Sequence, residues 1–252
     1  MRAGRIAIAN FFRDKLMSNA ALIAVMPVYN EEANIATVIS EWLQAFARAQ
    51  INARLLAIND GSRDNTLSIL RKLQAQFPEQ LMILDKPNSG HGRSCRAGYE
   101  AALQENAPWI LQIDSDGQCD PAFFPHFWAK RTDVDCVFGM RVKRDDGIVR
   151  KLVSKSASIL TSIATGRDLK DPNVPYRLMK RVALEKALPS VSKDFDIQNI
   201  ALTLALKRNP ALRWAYVPIR FRARQGGTNS INLRKIIKMG FTMLMQVNHV
   251  GK

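Results

Sequence analysis

Two carboxylates one residue apart, Asp114 and Asp116, are the clearest candidates for chemistry in this 252-residue chain. They directly follow the apolar segment 108–113, which is typical of a buried strand, so both would stand at a strand end. Carboxylates placed in this way can share a hard divalent cation, Mg²⁺ or Mn²⁺, with water and phosphate oxygens as the remaining ligands. The cation would then neutralise a leaving diphosphate. Taken alone, such a pair is more often a solvated turn with an Asx cap, because short motifs have many false positives.

Three further polar clusters accompany this pair in the first half of the chain. Residues 29–31 and 59–62 each follow an apolar segment, and residues 88–93 form a glycine-rich loop before a helix. Each cluster could be turn and helix-cap chemistry only. In the functional interpretation, Asp60 accepts hydrogen bonds from a base or ribose, Gly61 allows close approach, and the glycine-rich loop faces a diphosphate.

The elements that must position these clusters alternate between strand and helix through residue 140. The predicted strands are 21–29, 54–59, 81–84, 108–113 and 134–140, with helices between them. Asn30 could cap the helix after the first strand, and the helix after the glycine-rich loop is expected at residues 93–105. This alternation indicates an α/β fold with a mostly parallel sheet covered on both faces. Because ligands bind outside the carboxyl ends of such strands, the polar clusters are expected to meet at one edge.

The second half is less regular and contains no clean domain boundary. Its predicted elements are helices at 148–164, 197–207 and 231–250, and strands at 174–179 and 214–221. We therefore expect an N-terminal extension (1–20), one domain (21–225, with halves 21–140 and 141–225), and a basic amphipathic C-terminal helix (226–252). The last helix could lie on an anionic membrane surface or pack against the domain.

Charge is distributed unevenly between the two halves. The chain carries 37 basic and 22 acidic residues, but residues 1–140 have a net charge of −1 and residues 141–252 a net charge of +16. An anionic partner is therefore expected for the second half. The sequence shows no membrane-spanning segment, secretory signal or metal-ligand spacing of Cys or His, which favours a reducing, cytoplasmic location.

In this order and spacing, segments 26–32, 59–66, 88–92 and 112–118 resemble the family 2 inverting glycosyltransferases with the GT-A fold. Within that family the likeness is greatest to polyprenyl-phosphate sugar transferases of the dolichol-phosphate mannose synthase type, over about residues 20–225. The resemblance implies a three-layer, Rossmann-like α/β fold. It also implies transfer of a sugar from a UDP- or GDP-linked donor to a lipid phosphate, with Mg²⁺ or Mn²⁺.

The resemblance assigns roles to individual positions. The implied donor-binding residues are Pro27, Tyr29, Asn30, Glu31, Asp60, Ser62, Asn88, Gly90, Asp114, Ser115 and Gln118. Asp114 and Asp116 would bind the metal, and the implied catalytic residues are Asp116, Arg150 and Arg177. Phosphate or acceptor contacts would come from Arg141, Ser154 and Arg224, since a guanidinium can bind phosphate oxygens in a bidentate manner.

Some positions depart from the family pattern. Gln198 stands where many relatives carry Glu, and Arg213-Trp214 lacks the Gln of the Gln-x-x-Arg-Trp signature found with hydroxyl acceptors. Asp194 or Asp196 could act as a base, although an ionised phosphate acceptor needs none.

The expected function is metal-dependent inverting transfer to a membrane lipid phosphate by a peripheral enzyme on the cytoplasmic face. The alternatives are transfer to a hydroxyl acceptor on a glycan or glycolipid, a catalytically inactive sugar-nucleotide binder, and a basic nucleic-acid-binding protein. No helix-turn-helix, zinc or RNA-recognition pattern supports the last alternative, so nucleic acid is not an expected partner.

Overall fold

A computed structural model describes residues 20–143, 170–193 and 198–222. These residues form one seven-stranded sheet in the order β3-β2-β1-β4-β6-β5-β7. The strands are β1 (Leu22–Val28), β2 (Ala53–Asp60), β3 (Leu81–Lys86), β4 (Trp109–Gln112), β5 (Cys136–Lys143), β6 (Arg177–Lys180) and β7 (Trp214–Arg220).

Most neighbouring strands in this sheet are parallel. β1 pairs in parallel with both β2 and β4, β2 with β3, and β5 with β7. Among the described strands, only β6 runs antiparallel, and it separates β4 from β5. The carboxyl ends of β1, β2, β3 and β4 therefore share one edge, and the segment entering β6 reaches the same edge.

Six helices accompany the sheet in the described residues: α1 (Ile35–Arg48), α2 (Thr66–Gln76), α3 (His91–Gln104), α4 (Phe124–Lys130), α5 (Arg181–Ala187) and α6 (Gln198–Arg208). α1 buries Ile35, Val38, Ile39, Trp42 and Phe46, a pattern with helical spacing. Trp42 meets Phe124 of α4 edge to face, with ring centroids 6.2 Å apart. Aromatic packing therefore fixes α1 against α4.

The helix α3 lies unusually close to the sheet. A Cβ atom added at Gly98 would stand 2.4 Å from Val25 Cγ1 and 2.7 Å from the terminal methyl of Ile58. The missing side chain lets the helix approach β1 and β2, which brings its first turn to the edge where the strands end. The fully buried strands β1 and β2 are apolar along most of their length, as a two-sided parallel sheet requires.

The structure confirms the predicted α/β class, and each described strand overlaps its predicted range. Two helix starts were predicted wrongly. α1 begins at Ile35 rather than after an Asn30 cap, and α3 begins at His91 rather than at residue 93. The predicted helices at 148–164 and 231–250 and the N-terminal extension up to residue 19 lie outside the described residues.

Candidate functional site

The turn after β1 and the turn after β2 are joined by reciprocal hydrogen bonds. The Asn30 N–H donates to Ser62 Oγ at 3.0 Å, and the Arg63 N–H donates to Asn30 Oδ1 at 2.8 Å. The Glu31 N–H donates to Thr66 Oγ1 at 2.8 Å. Asn30 adopts a positive φ of 53°, which asparagine tolerates. Asn30 and Ser62 were both predicted to bind the sugar donor, and in the structure they hold the two turns together.

Tyr29 is an exposed aromatic residue of the turn after β1, with 43% of its surface accessible. An exposed ring beside a cleft can stack on a planar group such as a nucleobase. Pro27, by contrast, lies within the buried strand β1, where it pairs in register with Ile58. The structure therefore places Tyr29 at the site and Pro27 in the core beneath it.

Asp60, the last residue of β2, anchors the glycine-rich loop. Its carboxylate accepts hydrogen bonds from the N–H groups of Ser89 at 2.8 Å and Gly90 at 2.9 Å, and it pairs with Lys86. Asn88 Nδ2 donates to the Asp60 carbonyl at 2.8 Å. Only 3% of Asp60 is exposed. Asp60 thus brings the predicted donor residues Asn88 and Gly90 to the end of β2.

The electrostatic balance at Asp60 favours the carboxylate. Burial raises its pKa, but hydrogen bonds from Lys86 and the Ser89 N–H, with the Lys86 charge, lower the pKa overall below 3.8. The side chain is therefore ionised near neutral pH. Lys86 was not predicted as a site residue. Its position at the end of β3, immediately before the Pro-Asn-Ser-Gly loop, was the available signal.

The two acidic residues follow β4, as predicted, and Asn34, the residue before α1, helps to fix the segment between them. Asn34 Nδ2 donates to the Ser115 carbonyl at 3.2 Å, and Ser115 is buried. The Gln118 N–H donates to Asp116 Oδ1 at 3.1 Å across a turn in which Gly117 has a φ of 75°. Asp114 and Asp116 therefore follow β4 at the edge of the sheet that the Asp60 loop also reaches.

Asp114 and Asp116 fit a divalent cation as two ligands of a larger set. Asp114 Oδ1 is buried and has no hydrogen-bond partner among the described residues, and such an oxygen needs a cation or donor. The described ranges contain no cluster of three or more His, Cys, Asp or Glu side chains suited to a metal. The remaining ligands would therefore be water and substrate phosphate, which suits Mg²⁺ or Mn²⁺.

His91 is a neighbour of this carboxylate pair that the sequence identified only as a loop residue. It is the first residue of α3, and its Nε2 lies 3.8 Å from Asp114 Oδ1. The neighbouring Cys95 and Asp114 both raise the pKa of His91, against burial, which lowers it. The ring is about half exposed, so water screens part of this effect.

Arg141, at the end of β5, forms a close ion pair with Asp171. Its Nε and Nη2 donate to the two carboxylate oxygens at 2.7 and 2.5 Å. Asp171 has a φ of 47° and immediately precedes Pro172, near the same edge of the sheet. The two bonds to Asp171 fix the orientation of the Arg141 guanidinium. A phosphate bound by Arg141 would therefore have to share this guanidinium with Asp171.

Arg177 does not reach the site surface. Its side chain has no exposed area, and it donates to the carbonyl oxygens of Val174, Asn199 and Pro172. Its guanidinium also lies 4.7 Å from the ring centre of Phe138. The structure therefore places Arg177, which the resemblance implies to be catalytic, in the core among backbone carbonyls, and its catalytic role stays a prediction.

Several predicted residues lie outside the described residues, namely Arg150, Ser154, Arg224, Asp194 and Asp196. Arg222, the last of the described residues, was not predicted as a site residue. It donates to Glu41 Oε2 at 2.6 Å and to Asp120 Oδ1 at 2.7 Å, while its N–H donates to the Gln118 carbonyl. It therefore ties the end of β7 to α1 and to the segment after the acidic pair.

The chain resembles known proteins over most of its length. The sequence pattern of the family described as glycosyl transferase family 2 matches residues 23–188. A protein of Photorhabdus laumondii named undecaprenyl-phosphate 4-deoxy-4-formamido-L-arabinose transferase is 27% identical over 223 residues, covering 87% of this chain and 66% of the relative. A protein of the same name from Shewanella sediminis is 27% identical, with 87% and 64% covered. The chain therefore spans about two thirds of the length of these curated relatives.

Solved structures agree with this relationship at the level of fold. Glucosyl-3-phosphoglycerate synthase of Mycobacterium tuberculosis, crystallised with Mn²⁺, UDP and phosphoglyceric acid, superposes with a TM-score of 0.66 at 17% identity. That match covers 92% of this chain and 79% of the synthase. A further structure of the synthase, with Mn²⁺ and UDP-glucose, gives a TM-score of 0.64 at 18% identity, covering 91% and 80%.

The fold confirms the GT-A expectation. Over the ranges that the structure describes, every helix is too short or too polar to cross a bilayer. The family pattern covers β1 through α5, which includes the paired turns, the Asp60 loop and both carboxylates. By this match and the fold that carries it, the chain belongs to glycosyl transferase family 2.

Proposed function

We propose that the protein transfers a sugar from a nucleoside diphosphate donor to a polyprenyl phosphate, with a divalent cation and inversion at the anomeric carbon. The observation that carries this proposal is the arrangement at the sheet edge. Asp114, with its buried unsatisfied oxygen, and Asp116 follow β4, and the loop anchored by Asp60 opens beside them. This is the arrangement that a nucleoside diphosphate and its cation require.

The donor would lie across the carboxyl ends of β1, β2 and β4. Tyr29, exposed at the mouth, is placed to stack on the base. Asp60 already accepts hydrogen bonds from the N–H groups of Ser89 and Gly90. A hydrogen bond from the base to Asp60 would therefore be formed in addition to these. A divalent cation held by Asp114 and Asp116 would offset the charge that develops on the leaving diphosphate.

The chemical step is a direct displacement. An oxygen of the acceptor phosphate forms a bond to the anomeric carbon while the bond from that carbon to the donor's terminal phosphate oxygen breaks. The electron pair leaves with the nucleoside diphosphate, and the product is a sugar phosphodiester. Because the acceptor phosphate is already ionised near neutral pH, no residue has to remove a proton.

The relatives and the charge distribution support a lipid acceptor. The matched relatives are named as transferases acting with undecaprenyl phosphate. The second half of this chain carries a net charge of +16, which suits an anionic acceptor at an anionic membrane surface. We propose a peripheral attachment at the cytoplasmic face in which residues 226–252 contribute Lys235 and Lys238.

A transfer assay tests the proposal. The purified protein is incubated with Mn²⁺ or Mg²⁺, a panel of labelled UDP- and GDP-sugars, and undecaprenyl phosphate in vesicles, and labelled lipid is extracted. We expect product with the wild type and a loss of at least ~100-fold with Asp116→Ala, because the leaving diphosphate loses charge stabilisation. Asp133→Ala, an exposed carboxylate before β5 at the opposite edge, is the matched control. Full activity of Asp116→Ala with every donor would refute the proposal.

The same assay separates the acceptors. A sugar phosphodiester is cleaved by mild acid, whereas a glycoside resists it, so an acid-stable product would point to a hydroxyl acceptor. Vesicle sedimentation tests the attachment. Replacement of Lys235 and Lys238 by Gln should reduce binding to anionic vesicles while leaving transfer to a detergent-solubilised acceptor unchanged.

A further inference from the structure

One face of α3 carries three polar residues spaced four apart: His91, Cys95 and Tyr99. Residues with this spacing lie above one another along a helix. Cys95 and Tyr99 have no exposed surface, whereas the His91 ring is about half exposed at the mouth of the site. This face therefore runs from the core to the carboxylate pair.

These residues are joined through Gln112, the last residue of β4. The Tyr99 hydroxyl donates to Gln112 Oε1, and Gln112 Nε2 donates to Cys95 Sγ at 3.7 Å. Cys95 Sγ lies 3.4 Å from His91 Nε2, within hydrogen-bond distance for sulfur. A buried polar chain costs more to desolvate than an apolar core, but when its members are paired it restricts them to one arrangement. Here the arrangement it restricts is the orientation of the His91 ring.

The oriented ring faces the proposed diphosphate site. His91 Nε2 lies 3.8 Å from Asp114 Oδ1, which is too long for a hydrogen bond. The buried oxygen of Asp114 therefore has His91 as a close, charge-coupled neighbour, although the two do not form a hydrogen bond. The ring stands beside the oxygen that would bind the cation, and the diphosphate must approach that same oxygen. With Nε2 engaged by Cys95 Sγ, the other ring nitrogen, Nδ1, is the one whose N–H can donate to a phosphate oxygen.

We propose that His91 binds the donor's diphosphate and that Cys95 is the positioning residue that orients it. This inference rests on the proposed function, because it requires a nucleoside diphosphate at the Asp114–Asp116 edge. Cys95 itself does not touch the donor. It acts through His91, with Gln112 and Tyr99 fixing the thiol from the core side.

Calorimetric titration of the intact protein with UDP and with GDP, each with Mn²⁺, tests the inference. We expect His91→Ala to weaken binding of the nucleotide that the wild type prefers by about tenfold, the effect of one hydrogen bond to a charged group. Cys95→Ala should weaken it by about threefold. The matched controls are His126→Ala, an exposed histidine of α4, and Cys136→Ala, a buried thiol of β5, and both should bind like the wild type.

The double variant provides a measurement that a purely structural role would not change. Once His91 is absent, Cys95 has no ring to orient, so adding Cys95→Ala to His91→Ala should have no further effect on nucleotide affinity. If Cys95→Ala does not fold, Cys95→Ser keeps a polar atom at the position and is combined with His91→Ala in the same way. Additive losses, or a His91→Ala variant with wild-type affinity, would overturn the inference.

Different binding results would show that the inference about His91 is wrong or that the proposed function is wrong. If the wild type binds neither UDP nor GDP with Mn²⁺, the donor site itself is wrong. If the wild type binds one of them and Asp116→Ala does not, while His91→Ala binds normally, only the role of His91 is wrong.

Discussion

Replacement of Asp60 by Asn tests whether the glycine-rich loop is held by a single buried carboxylate. The two oxygens of Asp60 face different backbone donors, the N–H of Ser89 at 2.8 Å and the N–H of Gly90 at 2.9 Å. An amide has only one oxygen, so in either orientation its NH₂ group meets one of these donors. The substitution also removes the negative charge that pairs with Lys86.

The cost can be worked out from these contacts. One backbone N–H left without an acceptor costs about 1–3 kcal/mol, and a lost hydrogen bond to a charged group costs about 1.5–3 kcal/mol. Because the Lys86 side chain retains 17% exposure, part of the second contribution is regained from water. We therefore expect Asp60→Asn to lower the free energy of unfolding by about 2–5 kcal/mol.

Urea denaturation followed by circular dichroism measures this change, and nucleotide titration measures its effect on the loop. Asp133→Asn removes an exposed carboxylate near the opposite edge and should stay within about 0.5 kcal/mol of the wild type. If Asp60→Asn were as stable as that control, the loop would not depend on Asp60, and the derivation of the site from its hydrogen bonds would fail.

Gly61→Ala and Gly90→Ala both place a side chain at a positive φ, but only the first adds a clash, since its Cβ would lie 2.6 Å from the Asn88 backbone nitrogen. We expect Gly61→Ala to lose more nucleotide affinity, for a given loss of stability, than Gly90→Ala loses. Equal losses of affinity in titration would contradict this. Asp135 has a pKa that burial raises but its basic neighbours lower overall, so its stabilisation is present above pH 3.8 and is lost as the pH falls through the lower folded pKa. The difference in unfolding free energy between wild type and Asp135→Asn should therefore shrink in acid-series melts below about pH 4, and a constant difference would count against it. Arg177→Lys should cost about 3 kcal/mol or more because one ammonium cannot serve the same buried carbonyls. An Arg177→Lys variant that melts like the wild type yet has lost transfer activity would contradict this and favour the catalytic role instead.

The strand ends and the residues that follow them were predictable from the sequence. Short apolar segments followed by polar clusters indicate buried parallel strands, and parallel strands bring their carboxyl ends to one edge. Asp60, Asp114 and Asp116 therefore lie at the same edge of the sheet, as expected. The same argument left Lys86 and Arg222 unassigned, because each depends on partners from distant segments.

Asn30 shows where the sequence was insufficient. Its position before an amphipathic segment is typical of a helix cap, but the structure uses it to bind the turn after β2, 32 and 33 residues away. A helix cap and a turn-to-turn clamp use the same side-chain oxygen and backbone groups. Only the parallel pairing of β1 with β2 brings the second turn near enough to compete for them.

Arg177 shows the same difference between what the sequence determines and what the tertiary structure determines, here for a charged side chain. The sequence determined that the second half is basic, that an arginine follows Tyr176, and that phosphate is a reasonable partner for such residues. The tertiary structure decided that this guanidinium lies in the core among backbone carbonyls, while Arg141 lies beside Asp171 near the site edge. A residue type fixes which bonds a side chain can form. Burial and the position of its neighbours decide which of those bonds it makes, because removing a charge from water is favourable only where the fold supplies the partners.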